Sequence, residues 1–159
     1  MITDQDLPHL RRCIALATAA VEAGDEPFGS VLVAADGAVL AEEHNHAITR
    51  EETQHPEFAL ARWAGEHLTA PERATATVYT SGEHCPMCSA AHAWVGLGRI
   101  VYVASSTQLT GWLTEWGVPA GPVRPLTINE IAPGLVVDGP APELDQEMRE
   151  IHRAFRSRR

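Results

Sequence analysis

Apolar residues recur at helical spacing near the start of the chain. Leu7, Leu10, Ile14, Ala17 and Val21 fall on one face of a helix predicted from about Asp4 to Ala23, with Thr3 or Asp4 as its cap and Gly24 as its stop. After the turn Gly24-Asp25-Glu26-Pro27, the runs Ser30 to Ala34 and Ala38 to Glu43 flank Ala35-Asp36-Gly37 and predict a hairpin. The polar stretch from His44 to Gln54 reads as a loop, and its two histidines, His44 and His46, as solvent-facing. Pro56 to Leu68 predicts a second helix, which Thr69 to Arg73 ends. A strand over Ala76 to Thr80, a helix over Pro86 to Gly96 and a buried strand over Arg99 to Ala104 follow. Alternation of helices and strands implies an α/β fold with a parallel-biased sheet covered by helices. Thr107 to Trp116 predicts a short helix. Val123 to Asp138 carries Pro125 and Pro133 and has room only for short or edge strands. A charged amphipathic helix over Glu143 to Phe155 closes the pattern.

With 159 residues, 45% of them hydrophobic, the chain is long enough to bury a core without disulfides and reads as one domain, residues 1–159. Its formal charge of −9 argues against a broad nucleic-acid footprint, and the basic clusters Arg11-Arg12 and Arg156 to Arg159 read as solvated surface. Cys85 and Cys88 form a metal-type pair and Cys13 lies in an apolar helix, where it reads as a small buried hydrophobe. That usage implies a reducing compartment. No apolar run reaches membrane length and the first residues lack a signal-peptide core, so the expected location is cytoplasmic, with no membrane partner.

Chemistry concentrates in two short stretches, His55-Pro56-Glu57 and Glu83-His84-Cys85-Pro86-Met87-Cys88. One imidazole and two sulfurs make a three-ligand set that leaves zinc an open position for water. Proline suits the first turn of a helix, so His55-Pro56 and Cys85-Pro86 each mark a helix start. His55 and Glu57, two positions apart, point in different directions on a helix, which puts a metal beyond its end. Cys85 and Cys88 share a face, and free N–H groups at a helix start favour their thiolates. Two helix N-termini converging on one zinc ion are expected, with Glu57 placed to accept a proton from water.

These residues carry a resemblance. His55-x-Glu57, a gap of thirty residues and then Cys85-Pro86-Met87-Cys88 is similar to the cytidine deaminase superfamily, whose pattern is H-x-E…P-C-x-x-C. Pro27 to Val33 resembles the first strand of the guanine and cytosine deaminases, and Thr80-Ser81-Gly82-Glu83 their approach to the cysteines. The match runs from about Leu10 to Ala104, leaving 105–159 as a divergent part with a tail helix. His84 stands where that family usually has proline, and Pro56 where it often has alanine. The resemblance implies a three-layer α/β/α fold around a mixed sheet of about five strands. It also implies Zn²⁺ on His55, Cys85 and Cys88, Glu57 as the catalytic residue, and Asn45 as the grip on a substrate ring. Similar proteins are usually dimers, so a homodimer is expected.

Further substrate-binding candidates are Phe28, Glu83 and Glu115. Phe28 could line the pocket or belong to the core; Glu83 could accept from a ring N–H or brace the cysteine loop. Trp112, Glu115 and Trp116 could close over a flat ring, with Glu115 helping a proton along, or form a tryptophan pair at a subunit contact. The leading expectation is a hydrolase releasing ammonia from a small-molecule heterocycle: guanine, cytosine, or an azacytosine or triazine analogue. Deamination of adenosine in tRNA uses the same metal set and is weighed against by the acidic balance. A structural zinc module needs a fourth ligand, His84 or a loop histidine, and leaves Glu57 without a purpose. A protein that keeps the fold and has lost activity is the remaining reading.

Overall fold

A computed structural model describes residues 1–158; Arg159, the last of the terminal basic run, lies outside them. The elements run α1 (Leu7–Ala23), β1 (Gly29–Val33), β2 (Val39–His44), α2 (Pro56–His67), α3 (Ala70–Thr75), β3 (Thr77–Gly82), α4 (Pro86–Val95), β4 (Ile100–Ala104), α5 (Ser106–Glu115), α6 (Ile128–Ile131), β5 (Val137–Asp138) and α7 (Asp145–Ser157).

The strands form one five-stranded sheet in the order β2-β1-β3-β4-β5. β1 pairs antiparallel with β2 and with β3, whereas β3–β4 and β4–β5 are parallel, so the sheet is mixed. Side chains alternate across it, and both faces are covered. Val31, Val33, Tyr79, Val101 and Val103 meet Leu10, Ile14 and Ala17 of α1, Trp112 of α5 and Met148 of α7 on one face. On the other, Leu32 and Val78 meet Leu60, Ala61 and Ala64 of α2, while Ile100 and Tyr102 pack on Ile128 of α6. Burial on both faces is why β1 and β4 carry the apolar runs Val31-Leu32-Val33 and Ile100 to Ala104.

Helix α1 begins at Leu7, later than its apolar period suggests, because Pro8 takes a first-turn position. Asp6 sits before that turn and accepts from Thr3, from the Tyr79 hydroxyl and from Arg99, tying the helix start to β3 and β4. Gly24 closes the helix in the left-handed region at φ 98°. Gly29 lets α1 lie directly on β1: a Cβ there would fall 2.4 Å from Leu16 Cβ and 2.6 Å from the Cys13 carbonyl oxygen. Cys13 is fully buried, as expected for a small hydrophobe.

Thr69 to Arg73, expected only to end α2, opens the separate helix α3. Thr69 and Glu72 form a capping box, with Thr69 N–H and Oγ donating to the carboxylate at 2.7 and 2.6 Å. Thr127 and Glu130 do the same for α6, within a segment expected to hold only short or edge strands. The edge strand that does form, β5, is two residues long. Trp94 projects from α4 with 89% of its surface exposed. Among the described residues no helix is long and apolar enough to cross a membrane.

Candidate metal centre and its pocket

His55 and Cys85 occupy equivalent places. Each has extended backbone (φ −84°, ψ 142° and φ −66°, ψ 167°), each is followed by a proline, and each is the cap residue of its helix, α2 or α4. The fixed φ of the proline starts the helix at the next residue and turns the cap side chain off its end. Packing of α2 against α4 on the same side of the sheet then brings the two ends together.

Nδ1 of His55 lies 3.5 Å from Cys85 Sγ and 3.6 Å from Cys88 Sγ, and the two sulfurs are 3.5 Å apart. A tetrahedral zinc site has N···S edges of about 3.5 Å and S···S edges of about 3.8 Å, worked from zinc bond lengths of about 2.0 and 2.3 Å. The three atoms therefore already mark out one face of a zinc tetrahedron, and three is the number that leaves a vertex for water. The sulfurs are far beyond the about 2.05 Å of a disulfide. A hydrogen bond from the Cys88 thiol, and then His55, hold the Cys85 thiol down at about 4 against the effect of burial. Cys85 and burial push Cys88 up correspondingly. A thiolate is thus already favoured at this point in the fold.

Glu57 is buried one residue into α2 and stays outside the ligand triangle. Its Oε1 accepts from the Thr80 hydroxyl at 2.8 Å, and Thr80 Oγ in turn accepts from Ser30 Oγ at 2.9 Å. Ser30 and Thr80 are paired across β1 and β3, so the sheet register itself aims the carboxylate. Burial raises the Glu57 pKa, the direction suited to a group that must take up and release a proton.

Asn45 is buried at the end of β2. Its backbone N–H donates to the Phe28 carbonyl at 2.9 Å and its Oδ1 accepts from Ala47 N–H at 2.8 Å, while its amide nitrogen has no partner among the described residues. Phe28 is half-buried and lies over Gly82, where an added Cβ would come within 3.0 Å of the ring. Its ring meets His152 of α7 edge-on at 5.2 Å, and His152 lies 6.2 Å from Trp112. Burial, then the charge of Arg156, hold His152 neutral with a pKa of about 3. Arg156 also pairs with Glu26 at 2.7 Å. The tail helix thus packs its buried face against Phe28.

Two of the expected substrate-binding residues are engaged elsewhere. Glu83 accepts from Ser106 N–H and Oγ at 2.8 and 2.9 Å with one oxygen and from Ile128 N–H at 3.0 Å with the other, so it caps α5 and α6 rather than facing a ring. Glu115 is an exposed residue paired with Arg149 of α7 at 3.0 Å. Trp112 and Trp116 pack into the core beneath α5, where they form no lid. His84 is buried edge-on against His92 at 5.4 Å with neither ring nitrogen bonded, and it is not part of the ligand group. Among the described residues, then, the fourth protein ligand that a structural module needs does not reach His55, Cys85 and Cys88. Ser30, Thr80 and His152 are the residues that sequence spacing missed; only strand register and tail packing bring them here.

Residues 3–104 match the family described as the cytidine and deoxycytidylate deaminase zinc-binding region, and the chain belongs to that family. It is a zinc-dependent hydrolytic deaminase by class. A probable cytosine deaminase of Schizosaccharomyces pombe is 31% identical over 128 residues, 80% of this chain and 75% of that protein. The guanine deaminase of Bacillus subtilis is 39% identical over 101 residues, 62% of this chain and 64% of that protein. A solved structure of guanine deaminase from Nitrosomonas europaea superimposes with a TM-score of 0.71 at 19% identity, covering 99% of this chain and 86% of that one, which shows the fold. Relatives also include tRNA-specific adenosine deaminases.

Proposed function

We propose that the substrate is a free amino-substituted nucleobase or a close analogue: guanine, cytosine, or an azacytosine or triazine. The observation that carries this is the buried Glu57 carboxylate, held by Thr80 beside three converging zinc ligands without being one of them.

When bound, zinc lowers the pKa of a water molecule at its open vertex. Glu57 would take one proton of the attacking water and deliver it to the ring nitrogen next to the amine-bearing carbon, then take the second from the hydroxyl left on that carbon and deliver it to the departing amine. The carbon gains the water oxygen and loses ammonia, and no redox step is involved. Asn45 offers its unpartnered amide N–H to an acceptor on the ring. Phe28 presents an aromatic surface suited to a flat heterocycle.

Residues 1–159 read as one domain whose part beyond 104 is divergent. The exposed Trp94 offers an apolar contact for a homodimer, and the cysteine usage, one buried and two in the ligand set, fits a reducing, cytoplasmic setting. Ammonia release from guanine, cytosine, azacytosine and triazines, measured beside nucleosides and tRNA, tests the reading. Turnover of one or more free bases is expected. Turnover of tRNA alone would overturn the substrate, and zinc-loaded protein inert on the whole panel would favour a non-catalytic role.

A further inference from the structure

The strand end that carries Asn45 also carries a second group of metal-type ligands. One oxygen of Glu43 and one ring nitrogen each of His44 and His46 lie within 4.8 Å of one another. β2 ends at His44 and the chain turns just after it, where Asn45 Oδ1 accepts from Ala47 N–H, and the two imidazoles come together there with centroids 4.3 Å apart. Nε2 of His46 meets Glu43 Oε1 at 3.1 Å.

The His44 ring is backed as metal-bound histidines are, by a hydrogen-bond acceptor for the nitrogen that does not ligate, and the His46 ring has a carboxylate within ion-pair distance of its own. Nδ1–H of His44 donates to the Asn45 carbonyl at 3.0 Å, leaving Nε2 with a free lone pair. Nδ1 of His46 faces Asp25 Oδ2 at 4.0 Å. Asp25 is itself fixed by donation from Ile48 N–H, Thr49 N–H and Thr49 Oγ at 2.6 to 2.9 Å. The side chains of His46 and Glu43 are 18% and 37% exposed, so an ion can reach them.

We propose that Glu43, His44 and His46 bind a second divalent transition-metal ion. Two imidazoles and a carboxylate, with no thiolate, suit zinc, nickel or copper. The set is chemically distinct from the thiolate-rich one at His55, Cys85 and Cys88. Binding there ties the last turn of β2 to the segment after it. Asn45 lies between two of the ligands in sequence, so occupancy fixes the residue assigned to the ring. Only that consequence rests on the deaminase reading; the binding does not.

The test is calorimetric titration of Ni²⁺ into full-length protein already carrying one equivalent of zinc. Wild type is expected to take up one Ni²⁺ per chain and to melt at a higher temperature with it. His44→Ala and His46→Ala should each weaken that binding by about tenfold or more, at an unchanged zinc content. Glu43→Gln, which keeps the side-chain shape, should weaken it in the same direction. Copper in place of nickel gives an electron-spin signal with two coordinated nitrogens in wild type and one in each histidine variant. No Ni²⁺ uptake by wild type, or uptake unchanged in the His44→Ala/His46→Ala double variant, overturns the proposal.

Discussion

Replacing Thr80 with valine keeps the shape of the side chain and deletes one hydroxyl. That hydroxyl is fully buried, donates to Glu57 Oε1 at 2.8 Å and accepts from Ser30 Oγ at 2.9 Å. Two losses follow, and they are separable. A hydrogen bond to a charged acceptor is worth about 1.5–3 kcal/mol, so if the bond aims Glu57 during proton transfer, kcat/KM should fall by about 10- to 150-fold. Separately, Ser30 Oγ is left without its acceptor in a buried site, at a cost of about 1–3 kcal/mol in stability. Thr80→Val/Ser30→Ala removes both ends of that second bond and should recover much of the stability without recovering the rate. In a Glu57→Gln background the valine should have little further effect on the residual rate, because the two residues act through one proton path. The assay is steady-state ammonia release on whichever base is turned over, with urea unfolding in parallel. A Thr80→Val enzyme within about threefold of wild type, at equal zinc content, would refute the positioning role.

Other predictions follow from the packing. Glu57→Gln should keep its zinc and lose about 10²–10⁴ in kcat, read by metal analysis and turnover on the same sample. Gly29→Ala should cost about 1–3 kcal/mol in urea unfolding, because the new Cβ meets helix backbone in α1 that cannot swing aside. Glu83→Gln should lower the melting temperature by removing charge from the starts of α5 and α6 while leaving KM near wild type, the reverse of what a ring contact would give. Asp6 titrates in a way that fixes a pH dependence. Burial alone would raise it, but Arg99, Thr3 and Tyr79 together hold it well below its ordinary 3.8. The stability it contributes is therefore complete above pH 3.8 and is lost as pH falls from there through its folded value. Asp6→Asn should unfold with a shallower pH dependence than wild type below pH 4, at otherwise matched conditions.

The metal site was legible because its signal is local. His55-Pro56 and Cys85-Pro86 each write a helix start into two letters, and Glu57 follows at once. The order of helices and strands was legible for the same reason, through helical periodicity along α1 and the continuous apolar run of β4. What sequence could not show depends on residues far apart. Glu83 reads from sequence either as a ring contact or as a brace for the cysteine loop, yet its two oxygens accept from Ser106 and Ile128, far along the chain, which only the packing of α5 and α6 brings near. Glu115 was likewise claimed by Arg149. Thr80 and Ser30 became visible only through register, and His152 only once α7 had packed on Phe28. His44 and His46 read as separate solvent-facing loop residues, but the turn that follows β2, where Asn45 Oδ1 accepts from Ala47 N–H, places the two rings side by side.

The zinc coordination sphere tests the central claim most directly. X-ray absorption at the zinc edge, on protein loaded with one equivalent, should show two sulfurs at about 2.3 Å, one imidazole nitrogen at about 2.0 Å and one water oxygen. A second imidazole from His84, or any other protein atom filling that last position, would contradict it.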